Sequence, residues 1–223
     1  MNIKHQTANL QTTLNFKNQT YFRLVVWCCL VVCCLWFAVP AAQAWRINKE
    51  LKEEIDIKKA AVASAQNDPL AHFDLAITYA YTNNIENGWL ELKKVNDLDP
   101  TFKKKALTMY IEKVTECTSD WRLRFRLAFA YYFNDKKREA IRELDNVLKI
   151  DPYNVWAYGY IALIYGELGE IDPAMKYTRQ GLKIDSNVAA LHLLLSEGYY
   201  KKGDGWKGWM ERLEAVRLKA LGF

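Results

Sequence analysis

One short pattern recurs along this chain at a fixed interval, and it constrains the fold more than any other feature. Ile161-Ala162-Leu163-Ile164-Tyr165 is preceded, 34 residues upstream, by Leu127-Ala128-Phe129-Ala130-Tyr131. Ala174 is preceded at the same 34-residue interval by Ala140. The pattern returns upstream as Leu75-Ala76-Ile77-Thr78-Tyr79 and downstream as Leu195-Ser196-Glu197-Gly198-Tyr199. Between them lie turn residues: Asn83-Asn84, Asn134-Asp135, Leu168-Gly169 and Lys202-Gly203-Asp204. Each unit therefore reads as helix, turn, helix, with small residues where two helices approach closely. A period of this length cannot bury its apolar face alone and must stack on its neighbours.

Large-small-x-x-Tyr in the first helix, Ala in the second and a closing Leu-x-x-Asp-Pro resemble the tetratricopeptide repeat family. Leu148-Lys149-Ile150-Asp151-Pro152 ends one unit in that manner, and Leu98-Asp99-Pro100 ends an earlier one, in which Gly88 stands for Ala. The resemblance covers about residues 69–223. It implies an all-α, right-handed solenoid of helical hairpins, with about four repeats. The spacing predicts helix pairs near 70–81 with 85–97, 121–133 with 136–150, 154–167 with 171–184, and 188–201 with 206–221. From Pro100 to Pro152 the interval is 52 residues, 18 more than one period. Residues 101–117 fill that gap as one extra helix, packing through Phe102, Ala106, Met109 or Tyr110, Lys113 and Val114. Lys103-Lys104-Lys105 in its first turn reads as a solvated face, or alternatively as a contact for an acidic partner.

Residues 1–44 are of another kind. They hold Lys4, Lys17 and Arg23 with no acid, then a 16-residue apolar run, Leu24 to Val39, then Pro40 and Ala42-Gln43-Ala44. This order is that of a secretory signal peptide, and the run is shorter than the about 20 residues of a membrane span. The expectation is an exported protein, periplasmic or extracytoplasmic. The alternative is an uncleaved anchor in residues 24–39. Basic residues then flank the run more heavily on its far side (Arg46, Lys49, Lys52, Lys58, Lys59), which would leave the repeats in the cytoplasm. Cys28, Cys29, Cys33 and Cys34 lie within the run, so after cleavage only Cys117 remains and no internal disulfide forms. Residues 45–68 read as an N-terminal capping helix, near 48–66, or as a stalk.

Beyond residue 44, 28 basic residues stand against 26 acidic ones, a balance that excludes nucleic-acid binding as the main role. No nucleophile elbow, phosphate loop or His-Glu-x-x-His motif occurs. His72 and His192 sit on first helices, where they read as packing residues. Gly203-Asp204-Gly205 reads as a turn and cap. No catalytic residue, cofactor or metal site is expected.

The expected function is a scaffold that binds another protein or peptide segment. The face of each first helix opposite the signature residues is assigned to a groove: Leu70, Phe73, Ile77 and Tyr81; Arg122, Phe125, Phe129, Tyr132 and Phe133; Trp156, Leu163 and Glu167; and Leu193, Glu197, Tyr200 and Lys201. Phe125, Phe129 and Phe133 form a ridge at a spacing of four, which either the extra helix or a partner segment must cover. The resemblance also implies a comparison with the family's clamp for peptide carboxylates. Arg122 and Arg126 fall on its basic positions, but Phe73 and Ile77 replace its Lys and Asn, so the clamp is incomplete. Self-association as an anchored structural subunit, or service as an auxiliary subunit of an enzyme complex, are the competing readings.

Overall fold

The computed structural model describes residues 49–222, which form ten helices joined by short turns, with no strand among them. Residues 1–44, read above as a signal peptide or anchor, lie outside this range. In order the helices are α1 (Lys49–Ser64), α2 (Pro69–Ala80), α3 (Ile85–Leu98), α4 (Phe102–Glu116) and α5 (Trp121–Phe133). They continue with α6 (Lys137–Ile150), α7 (Val155–Glu167), α8 (Ile171–Ile184), α9 (Ala189–Lys201) and α10 (Gly205–Ala220). The all-α repeat architecture expected from the period is the one observed.

Each helix starts and stops for local reasons. Asp68, Asp120, Asn154 and Asp204 cap α2, α5, α7 and α10 by accepting hydrogen bonds from backbone N–H groups of the first turn. Every hairpin turn holds one residue at positive φ: Asn83 at 56°, Asp135 at 57°, Gly169 at 78° and Gly203 at 79°. These four are equivalent positions of successive repeats. Asn and Asp tolerate the left-handed region better than other side-chained residues, so the turn survives where Gly is absent.

Small residues sit where the second helix crosses the first. Ala140 is fully buried, and a Cβ on Gly88 would come 3.1 Å from the backbone oxygen of Ala76. At Gly208 a Cβ would lie 2.9 Å from the Tyr200 ring. Ala174, the equivalent position in the third repeat, is only half-buried.

The pairs α2–α3, α5–α6, α7–α8 and α9–α10 form the repeats. Helix α6 packs on α7, and α8 on α9, as a second helix meets the next first helix. At the first junction that place is taken by α4, which packs along α5 and displaces α3 from it. Its buried residues are Phe102, Ala106, Leu107, Tyr110 and Val114. At the front, α1 packs on α2 through Ile55, which meets Leu75 and Tyr79.

Candidate functional site

The structure redistributes the predicted groove residues. Phe73, Ile77, Tyr81, Phe125, Arg126 and Trp156 are buried, so the expectation that they line an open groove is corrected. The phenyl ridge explains why. Phe125 meets Tyr81 edge-on at 5.2 Å and Tyr160 at 5.7 Å, and Phe129 meets Tyr160 at 4.8 Å. Phe133 meets Phe73 at 6.3 Å. The ridge is covered by repeats one and three. The extra helix instead covers Phe73, through Phe102 and Tyr110. Aromatic rings so packed contribute as core, by area and by edge-to-face geometry.

The two arginines are also occupied. Glu54 of α1 accepts from Arg122 Nε at 2.9 Å, from Arg126 Nη2 at 3.1 Å and from the Tyr81 hydroxyl. Glu50 accepts from Arg122 Nη2 at 2.6 Å. Arg126 Nη2 also donates to Thr78 Oγ1 and Tyr81 Oη, and its Nε lies 3.3 Å from Asp74. Asp74 in turn accepts from Lys58 at 2.7 Å and from the Tyr110 hydroxyl. Burial works to raise the Glu54 pKa, but the Tyr81 hydrogen bond and the Arg126 charge outweigh it and hold the group below its ordinary range. Asp74 is lowered likewise, with burial opposed by the Arg126 charge and the Lys58 and Tyr110 hydrogen bonds. The cluster thus ties α1, α2, α4 and α5 together with the protein's own carboxylates. Arg122 and Arg126 hold α1 where a clamp would hold a peptide.

What remains open lies beside α3. Because α4 holds the place along α5, an apolar slot of about 130 Å³ is left between α2–α3 on one side and α5–α7 on the other. Phe129, Tyr132 and Phe133, all assigned to the groove, line it, and buried Ile77 borders it from behind. Sequence reasoning missed its other wall, Ile85, Trp89 and Leu92 of α3, together with Tyr160; Leu163 of α7, already assigned to the groove, completes it. Trp89 is 58% exposed, which is unusual for a tryptophan facing an apolar hollow. A cavity of this size matches a single large apolar side chain, since one of about 150 Å³ holds benzene. An adjoining hollow shares Trp89, Leu92 and Phe133 and is also lined by Lys93, Asn96, Asp99 and Lys103. Tyr132 donates to Glu167 at 2.7 Å, and Lys137 pairs with Glu167 at 2.9 Å, at the α7 end. Tyr200 is exposed on α9, where its ring packs over Gly208.

His72 and His192 pack between the helices of their repeats, as read from the sequence, and do so through polar contacts. His72 Nδ1 lies 2.5 Å from Glu91 and its Nε2 2.9 Å from the Gln66 carbonyl. His192 repeats the arrangement, 2.7 Å from Glu211 and 2.9 Å from the Ser186 carbonyl. Each bridges the two helices of its repeat to the preceding loop. Among the described residues, no three His, Cys, Asp or Glu side chains are grouped to hold a metal ion. Cys117 is exposed at the end of α4.

Comparison with known proteins bears on the repeat itself. Residues 157–188 match the tetratricopeptide repeat family model. The TPR repeat-containing protein MJ1428 of Methanocaldococcus jannaschii is 28% identical over 129 residues, which span 56% of this chain and 22% of that protein. The chain thus matches only about a fifth of that relative's length. Among solved structures, MamA of MSR-1 aligns with TM-score 0.50 and 16% identity, over 77% of this chain and 95% of its own. YrrB, a TPR protein with an unusual peptide-binding site, aligns with TM-score 0.49 and 14% identity, over 74% and 94%. At these identities the likeness concerns the fold. The matched repeat, the four stacked hairpins and their recurring turn give this chain a tetratricopeptide-repeat fold.

Proposed function

We propose that the protein is a non-catalytic interaction scaffold that captures a segment of another protein in the slot between α3 and α5. The single observation that carries this reading is the apolar hollow that the inserted helix opens, with Trp89 exposed at its wall. A partner side chain entering it replaces water on Phe129, Tyr132 and Leu163, at about 25 cal/mol per Å² of apolar surface covered. Lys93 and Lys103 line the adjoining hollow with no carboxylate paired to them among the described residues, and Asp99 there is held by Lys105, so the segment is expected to carry acid next to its apolar anchor. Aromatic residues at the centre and charges at the rim are the usual anatomy of such contacts. Selection of peptides from a displayed random library tests this. The expected binders share one bulky apolar residue flanked by Asp or Glu, and Trp89→Ala weakens them about tenfold or more with an unchanged melting curve. Binders indifferent to Trp89→Ala and to Leu163→Arg would overturn it.

The proposed setting is extracytoplasmic, and it rests on residues 1–44 alone. Among the described residues no helix is long and apolar enough to cross a membrane. Sequencing the N-terminus of protein recovered from its native host tests the setting. A start at Trp45 is expected, and retention of the residues before Leu24 would favour the anchor.

A further inference from the structure

The last helix carries a face that nothing in the described chain covers. Gly208, Ala215 and Leu218 of α10 are buried against α9. On the opposite side Trp206 is 70% exposed, Trp209 48% and Leu213 49%, with Met210 and Val216 beside them. The spacing of three and four places these residues in one stripe along α10. Trp206 and Trp209 stack on each other at 5.4 Å, so the stripe begins as a rigid aromatic plate.

We infer that this stripe is the interface of a two-fold dimer, in which α10 packs antiparallel on α10 of a second copy about an axis at Leu213. Three observations point to a second copy. The first is the arrangement of the stripe: Trp206, Trp209 and Met210 are bulky and lie toward one end, while Val216 and Ala220 are slim and flank Arg217 toward the other. Reversal about Leu213 sets Trp206 against Ala220, Met210 against Val216 and Trp209 against Arg217. At Trp206–Ala220 and Met210–Val216 large meets small, and each Trp209 indole faces a guanidinium, a cation–π pairing. An isologous contact requires this self-complementarity.

The second observation is charge. Lys207, Arg212 and Arg217 are paired with Asp204, Glu197 and Glu214 of their own chain, and Lys219 with Glu86. The margins of the stripe are therefore neutralised. They do not repel a like copy, and they offer little attraction to an anionic bilayer, which polybasic segments need. Antiparallel packing also sets opposite ends of the helix dipoles together.

The third is area. Taking roughly 150–250 Å² for each large side chain, the exposed fractions leave on the order of 500–600 Å² of apolar surface per copy. A two-fold pair then covers about 1,000–1,200 Å², which reaches the lower limit of a specific interface. An open apolar patch of that size is at the top of the range for monomers.

Sedimentation equilibrium of the full chain in mild detergent tests the inference, with Trp209→Glu/Leu213→Glu as the variant. Both positions are exposed, and an unchanged helical circular-dichroism signal verifies the fold. A dimer that becomes monomer in the variant is expected. In parallel, a photo-crosslinking amino acid at position 213 should attach to residues 206–220 of a second copy. A monomeric wild type, or a dimer that persists in the variant, would overturn it. So would binding to anionic vesicles by the wild type without any 213 crosslink between copies.

Discussion

Arg126 is the residue on which the front of the molecule depends. It is buried, and its guanidinium meets Glu54, Asp74, Thr78 and Tyr81 at once. Removing it leaves two carboxylates in a low-dielectric site with their main counter-charge gone. Breaking a buried pair in this way costs about 3–5 kcal/mol, far more than the loss of an exposed one. Arg126→Met should therefore lower the unfolding free energy read from chemical denaturation by that amount, whereas Arg138→Met, whose exposed guanidinium pairs with Glu170, should leave it nearly unchanged. The same cluster sets a pH dependence. Glu54 and Asp74 are both held below their ordinary values in the fold. Their contribution is complete above the unfolded carboxylate range of about 4 and is lost as pH falls through the lowered folded values. The melting temperature should thus drop on acidification below about pH 4, and Arg126→Met should flatten that drop. An acid limb of equal steepness in the variant would show that other carboxylates carry it.

At the scale of elements, the repeat helices were legible because the signature residues are local. Leu127, Ala128 and Tyr131 name a face, and the turn at Asn134-Asp135 names an end. What covered the other face was not legible. Phe125, Phe129 and Phe133 fall on one ridge by their spacing, but spacing says nothing of Tyr160, 31 residues beyond Phe129, or of Tyr81, 44 before Phe125. Glu54 lies 72 residues from Arg126, on a helix read as a cap or a stalk. The slot could not be seen for a related reason. Its existence depends on α4 taking the place of α3 along α5, and the length of an insertion does not tell which neighbour it displaces. One signal was present and unread. His72 with Glu91, and His192 with Glu211, are separated by the same 19 residues in equivalent repeats. A pair repeated at fixed offset on first and second helices is the sequence mark of a bridge between them.

For the whole molecule the consequence is a solenoid with one unlike junction. In such arrays a repeat's contacts are chiefly with its neighbours, and stability is close to a sum of repeat and junction terms. Here Tyr160 of repeat three also donates to the Ala80 carbonyl of repeat one. Three junctions join the four repeats. Two are the ordinary packing of α6 on α7 and α8 on α9, while the first runs through α4 and the charged cluster. Opening should follow that division, because cooperative units separate where their joining contacts are most easily lost. Amide hydrogen exchange can see this, since it reads each helix separately. In the wild type the buried centres of α5 and α7 should exchange slowest, because both sides of those helices are packed. Arg126→Met should release α1 and α2 first, at a free energy lowered by about 3–5 kcal/mol. Protection in α7 and α8 should barely change, because no contact of theirs passes through Arg126. If α7 and α8 lose protection equally with α1, the chain opens as one unit. The junction at α4 would then be as strong as the regular ones.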